Sequence, residues 1–210
     1  MLMTTRLHVL KNPLTAHWIS HIREKQSTCK EFRQGIELLS HALILEAGVT
    51  LTEAVYSLES PVGVGAGSRI SEKIALVPIL RAGLGMVAPI LDWAPNASVY
   101  HFGLARDHNT LQPGIYYDNV PSSLEGKVCL ILDPMIATGG SALAAIERVQ
   151  ESKPLRVSLL GIIGARQGVE NIHSCFPKVD IFLAALDEKL NAKGYITPGL
   201  GDAGDRCFNS

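Results

Sequence analysis

The chain reads as an α/β protein built on a mostly parallel twisted sheet flanked by helices. Three observations carry that expectation. From Ile74 onward, strand-like apolar runs alternate with helical patterns, as successive βα units do. Within that stretch Lys127–Leu132 is an apolar run ending in Asp133, a turn of small residues follows, and Ser141-Ala-Leu-Ala-Ala-Ile-Glu-Arg opens a helix. Finally, 210 residues with 47% hydrophobic and 19% charged side chains suit one α/β domain over 1–210 and exclude a disordered chain.

Taken in order, Asn12 before Pro13 is the N-cap and first position of a helix whose Leu14, Trp18 and Ile22 share one face. Thr28-Cys-Lys-Glu31 is a capping box that opens a second helix, with Gly48 as its stop. These two helices are expected to form an accessory layer or a subunit contact. Strands are expected at Ile74–Pro78, Ser98–Gly103, Lys127–Leu132, Arg156–Ile163 and Val179–Leu186, and helices at Leu84–Leu91, Gly140–Ser152 and Gln167–Cys175. Between Leu104 and Pro121 the pattern becomes a polar loop with a Pro-Gly pair and Tyr116-Tyr117, of a length that often serves as a lid. Ligands of such sheets sit beyond the carboxyl ends of the strands, so Arg81 and Asp133, each following a strand, are expected on one rim.

Several function classes are disfavoured. A formal net charge of −1, without a lysine–arginine run, offers nucleic acid no general attraction. Ile74 to Leu91 is the most apolar stretch, but Arg81, two prolines and two glycines interrupt it too badly for a membrane span. The first eight residues lack a signal-peptide pattern. Four scattered cysteines (Cys29, Cys129, Cys175, Cys207) fit reduced thiols in a cytoplasmic protein, with Cys129 as a core filler. His17 and His21 lie four apart but lack a third metal ligand, and no role is assigned to them. Gly199-Leu-Gly201-Asp-Ala-Gly204 matches G-x-G-x-x-G, yet Pro198 precedes it and only six residues follow, so no dinucleotide-binding unit can form around it.

The turn after Asp133 carries the chemistry. A strand-to-helix turn points free backbone N–H groups, helped by the helix dipole, at whatever sits above the strand end. Thr138 and Ser141 add hydroxyl donors, while Gly139 and Gly140 let an oxyanion approach the backbone. An ordinary capped turn needs only one hydroxyl and no aspartate. No lysine follows the glycines, which disfavours a Walker-type site. Asp133 would repel a bare phosphate and suits sugar hydroxyls or a metal, so the site fits a phosphorylated sugar.

Asp133-Pro134-Met135-Ile136-Ala137-Thr138-Gly139-Gly140-Ser141 resembles the phosphoribosyl-pyrophosphate (PRPP) loop of uracil phosphoribosyltransferases, including the proline where most phosphoribosyltransferases have a second acid. Val77-Pro-Ile-Leu-Arg81-Ala-Gly-Leu-Gly-Met86 and Gly194-Tyr-Ile-Thr-Pro-Gly-Leu-Gly-Asp202-Ala-Gly-Asp-Arg206 resemble two further blocks of that family, and the likeness runs from about Leu10 to Phe208.

The resemblance implies the type I phosphoribosyltransferase fold with a C-terminal base-binding hood, a role in pyrimidine salvage, and conversion of PRPP and uracil to UMP and diphosphate. It implies that Arg81 and the lid residue Arg106 bind pyrophosphate, that Asp133 to Ser141 hold the phosphoribosyl group, and that Ile196, Gly201 and Ala203 contact uracil, with Asp202 near N1 and the ribose. Mg2+ bound mainly through PRPP, a homodimer or homotetramer and a possible GTP effector are implied as well. The chain departs from the family pattern at His108, which replaces an acid, at Asn119, which replaces a lysine, at Leu45 and at Ala165-Arg166-Gln167-Gly168. A ligand-sensing regulator with weak catalysis and a transferase for another nucleobase are the competing readings. Intact Asp133, Arg81 and Asp202 favour the enzyme.

Overall fold

The computed structural model describes residues 6–106 and 113–210. In chain order the elements are β1 (Leu7–Val9), α1 (Pro13–Arg23), α2 (Cys29–Gly48), β2 (Glu53–Ser60), β3 (Gly63–Ile70), β4 (Lys73–Leu80), a 3-10 turn (Ala82–Met86), α3 (Val87–Leu91), β5 (Ser98–Val99), β6 (Phe102–Arg106) and β7 (Pro113–Asp118). There follow β8 (Lys127–Leu132), β9 (Met135–Ile136), α4 (Gly140–Glu151), β10 (Arg156–Ala165), α5 (Arg166–Cys175), β11 (Asp180–Asp187), β12 (Lys189–Leu190), β13 (Ile196–Thr197) and α6 (Ala203–Phe208). The main sheet runs β1-β11-β10-β8-β4-β6-β7, parallel except for the antiparallel edge strand β7. Its central strands are buried almost throughout, as a sheet covered on both faces requires.

One face is covered by α2 together with α1, α3 and α6, the other by α4 and α5. This corrects the expectation that the N-terminal helices form an accessory layer: Phe32, Ile36, Leu39 and Leu43 of α2 are fully or nearly fully buried in the core. Both caps form as read. Asn12 accepts from the Thr15 amide, and Thr28 and Glu31 close a reciprocal capping box. The buried face of α1 is Thr15, Ile19 and Ile22, whereas Leu14 is 76% exposed, so the expected Leu14-Trp18-Ile22 face is turned by about one position.

The strand expected at Ser98–Gly103 is broken into β5 and β6, with His101 anchored through its amide to the Asn119 side chain. The expected polar loop from Leu104 to Pro121 is largely the antiparallel pair β6/β7, in which Gly103 has no side chain to clash with the Tyr116 ring. Its expected lid residues Asp107 to Leu111, His108 among them, lie outside the described residues. The β2/β3 hairpin was not anticipated at all. Its ladder pairs Glu53 through Ser60 with Ile70 through Gly63, and neither strand has a residue classed as buried. Cys129 is fully buried, and the four cysteines are free.

Candidate functional site

Parallel pairing puts the carboxyl ends of β4, β8, β10 and β11 on one rim. Pro78 is opposite Leu132, so the loops beginning at Arg81 and Asp133 are neighbours. They are packed tightly: a side chain on Gly83 would begin 2.4 Å from the Leu132 carbonyl oxygen. Gly103 pairs beside Leu80 through β6, which carries the backbone of Arg106 to the same rim; its side chain lies outside the described residues.

Asp133 sits at the floor of this rim, partly accessible as a residue. Burial of its carboxyl raises its pKa to about 7, against the lowering effect of the Met135 N–H, which donates to Oδ1 at 3.2 Å. Pro134 and Ile136 are buried, and β9 pairs with β10, so Met135 and Ile136 rivet the loop to the sheet. The N-cap of α4 is Gly139, whose φ of +87° no capping Ser, Thr or Asp adopts readily, and the helix has no side-chain cap. Neither Thr138 nor Ser141 caps it. Among the described residues no protein group accepts from the amides of Thr138, Gly139, Gly140 or Ser141. A row of N–H donors at the positive end of a three-turn helix is therefore left without protein acceptors among the described residues, an arrangement that suits an anion.

Sequence reasoning missed what supports this loop from behind. Asn171 of α5 donates its side-chain amide to the Thr138 carbonyl at 3.0 Å. Gly168 allows the Ala137 carbonyl to approach within 2.3 Å of where its side chain would begin. No short motif announces Asn171, because its task appears only once α5 is folded against the loop.

The C-terminal segment forms the opposite wall. Ile196 and Ala203 bury their side chains in the core, so only their backbone can meet a ligand. Thr197–Pro198 is a cis peptide bond, and Gly199 and Gly201 have positive φ. Asp202 is exposed and its Oδ1 accepts from the Asp205 amide as the N-cap of α6, which leaves Oδ2 without a partner among the described residues. Among these residues the amides of Gly201 and Ala203 have no protein acceptor. Arg81 links the walls: its Nη2 donates to Asp205 Oδ1 at 3.3 Å and its Nη1 to the Ser210 hydroxyl at 3.3 Å. Arg81 thus contacts the C-terminal segment directly, and the loop that it opens packs against the start of the Asp133 loop.

The uracil phosphoribosyltransferase family model matches residues 9–210. A uracil phosphoribosyltransferase of Roseiflexus castenholzii is 47% identical over 205 residues, covering 98% of this chain and 99% of the relative. Another, of Halalkalibacterium halodurans, is 45% identical with the same coverages of 98% and 99%. Among solved structures, a protein of Aquifex aeolicus superposes with a TM-score of 0.90 at 36% identity, covering 96% of this chain and 97% of that one. A hypoxanthine phosphoribosyltransferase of Staphylococcus aureus, 13% identical, shares the fold with a TM-score of 0.52 over 82% of this chain and 81% of its own. A nearly full-length family match, with the rim loops and the C-terminal hood in place, means that the chain belongs to the uracil phosphoribosyltransferase family.

Proposed function

We propose that the chain transfers the phosphoribosyl group of PRPP to N1 of uracil, giving UMP and diphosphate with inversion at C1. The observation that carries this reading is the uncapped start of α4, with its unpartnered amides beside Asp133. The 5′-phosphate is held by the Thr138–Ser141 amides and hydroxyls, on a loop shaped by Pro134 to Ala137. Asp133 accepts hydrogen bonds from the ribose hydroxyls. The Arg81 fork, joined by Arg106, binds pyrophosphate oxygens and stabilises the charge that gathers there as the C1–O bond breaks. The N1–C1 bond forms on the opposite face of the ring, and the N1 proton departs near Asp202.

Among the described residues no three His, Cys, Asp or Glu side chains are arranged to hold a metal. When bound, Mg2+ would be held mainly through PRPP oxygens and would supply neutralising charge to the leaving diphosphate. The base is read by the backbone of Ile196, Gly201 and Ala203. An exocyclic amino group in place of the uracil carbonyl would face a donor and leave both unpaired. No helix among the described residues is long and apolar enough to cross a membrane. We extend the reading to a cytoplasmic location and a homodimeric or homotetrameric assembly, to which GTP is the candidate effector.

Diphosphate release, measured with a panel of free nucleobases with and without magnesium, tests the proposal. Magnesium-dependent release with uracil and strong rejection of cytosine are expected. Similar kcat/KM for both bases refutes backbone readout. Absence of diphosphate release with every base refutes the enzyme reading, and an RNA filter-binding assay with salt titration then tests the regulatory one.

A further inference from the structure

A base site made of backbone has no side chains of its own to hold its shape, and the turn from Pro198 to Gly204 contains three glycines. Two guanidinium groups hold it from below. Arg23, the last residue of α1, pairs with Asp187 at the end of β11, Nη1 to Oδ2 at 2.8 Å and Nη2 to Oδ1 at 2.6 Å. The same Nη1 donates to the Gly199 carbonyl at 2.8 Å, and the Gly199 amide donates to Asp187 Oδ2 at 3.1 Å. Both polar backbone groups of Gly199 are thereby fixed to one ion pair, whose side chains are only 19% and 8% exposed.

Arg206 grips the next residue. Its Nη1 donates to the Leu200 carbonyl at 2.8 Å and to the Ile22 carbonyl, its Nη2 donates to the Glu24 carbonyl at 2.8 Å, and its head lies 4.3 Å over the Phe32 ring. Ile22 and Glu24 belong to the last turn and C-cap of α1, where helix carbonyls lack intrahelical partners and attract a cation. The stem of Arg206 also runs beneath Gly201, with Cδ 3.4 Å from where a side chain there would begin. Both arginines therefore join the same two things: the end of α1 and the backbone of Gly199 to Gly201.

We propose that Arg23, paired with Asp187, and Arg206 are positioning residues for the nucleobase, making the end of α1 a part of the base site that never touches substrate. The inference rests on the uracil reading above. Hydrogen bonds from fixed backbone groups discriminate between bases only if those groups stay within a few tenths of an ångström, and these two forks supply that rigidity. The PRPP loop has its own supports in β9, Gly168 and Asn171 and does not depend on them.

The test is a split between substrates. KM for uracil and for PRPP is measured for the wild-type chain, Arg23→Lys, Arg206→Lys and Asp187→Asn. Lysine keeps the charge but cannot span two acceptors as a fork does. We expect KM for uracil to rise about tenfold, discrimination against cytosine to fall, and KM for PRPP to stay within about twofold. Unchanged KM for uracil, or an equal rise for both substrates, overturns the proposal. So does failure of all three variants to fold, since the contacts would then be structural only. A wild-type chain that turns over no base refutes the functional reading instead. Hydrogen exchange then decides: faster exchange of the Gly199 amide, which donates to Asp187 Oδ2, in Arg23→Lys supports the clamp, and unchanged exchange overturns it.

Discussion

Asp133 combines two demands that pull its carboxyl in opposite directions. Ribose hydroxyls donate to a carboxylate, yet burial raises this group from 3.8 to about 7, so at neutral pH the empty site holds it about half protonated. PRPP affinity is expected to increase up to about tenfold per pH unit below 7 and to level off above it, because only the ionised form accepts both hydroxyls. Asp133→Asn should bind weakly and without that pH dependence, as titration calorimetry between pH 6 and 8 would reveal. Stability gives the converse sign. A pKa raised in the folded state favours folding below about 4, and this contribution is lost as pH rises through about 7. Asp133→Asn should therefore be the more stable protein at pH 8, by at most about 4 kcal/mol, with the gap closing toward pH 4 in urea titrations. Arg81 is the second residue-level test. One donor placed where charge develops is worth ~3 kcal/mol, so Arg81→Ala should lower turnover at least about a hundredfold in steady-state kinetics. Its exposed pair with Asp205 contributes little to folding, so the loss should come without a change in melting temperature.

At the scale of elements, the phosphate loop works because β8 and α4 meet at a residue that can only be glycine. Gly139 adopts φ +87°, and a side chain there would begin 2.9 Å from the Gly168 carbonyl oxygen. Gly139→Ala should cost about 1–3 kcal/mol in thermal stability and weaken PRPP binding more than uracil binding. Equal binding of PRPP by this variant would mean that the loop does not grip the 5′-phosphate. The strand, turn and helix of this unit were legible because all three signals lie within Lys127 to Glu151 and depend on local spacing. Both N-terminal helix caps were legible for the same reason. The β2/β3 hairpin was not: Gly63, Gly65 and Gly67 weaken the strand pattern, and an arm without a buried face has no apolar alternation to display. The role of α2 was hidden too, since its sequence tells which face is apolar but not which sheet receives it. Arg23 and Asp187, far apart in the chain, carry no signal until folding brings them together.

For the whole molecule, the rim matters because it joins segments that no local structure connects: Arg81, Asp133 to Ser141, and the hood from Ile196 to Asp205. PRPP as read above spans the first two and faces the third, so its binding should stabilise the entire cooperative fold. At a hundred times its Kd, mass action predicts about 2.7 kcal/mol of added stability. For a chain of this size that corresponds to a rise in Tm of about 5–10 °C. Ribose 5-phosphate presents the same phosphate and ring hydroxyls but no pyrophosphate for Arg81. At equal concentration it should produce a distinctly smaller shift, and in Arg81→Ala the shifts from the two ligands should converge. The described contacts that pyrophosphate must displace are the Arg81 hydrogen bond to the Ser210 hydroxyl and the Arg81–Asp205 pair, with side chains 56% and 54% exposed, and such exposed pairs are worth at most about 1 kcal/mol. Equal shifts from both ligands in the wild-type chain would mean that the Arg81 loop takes no part in binding. The grip would then reside in the start of α4 alone, and Arg81 would belong to the C-terminal helix it touches.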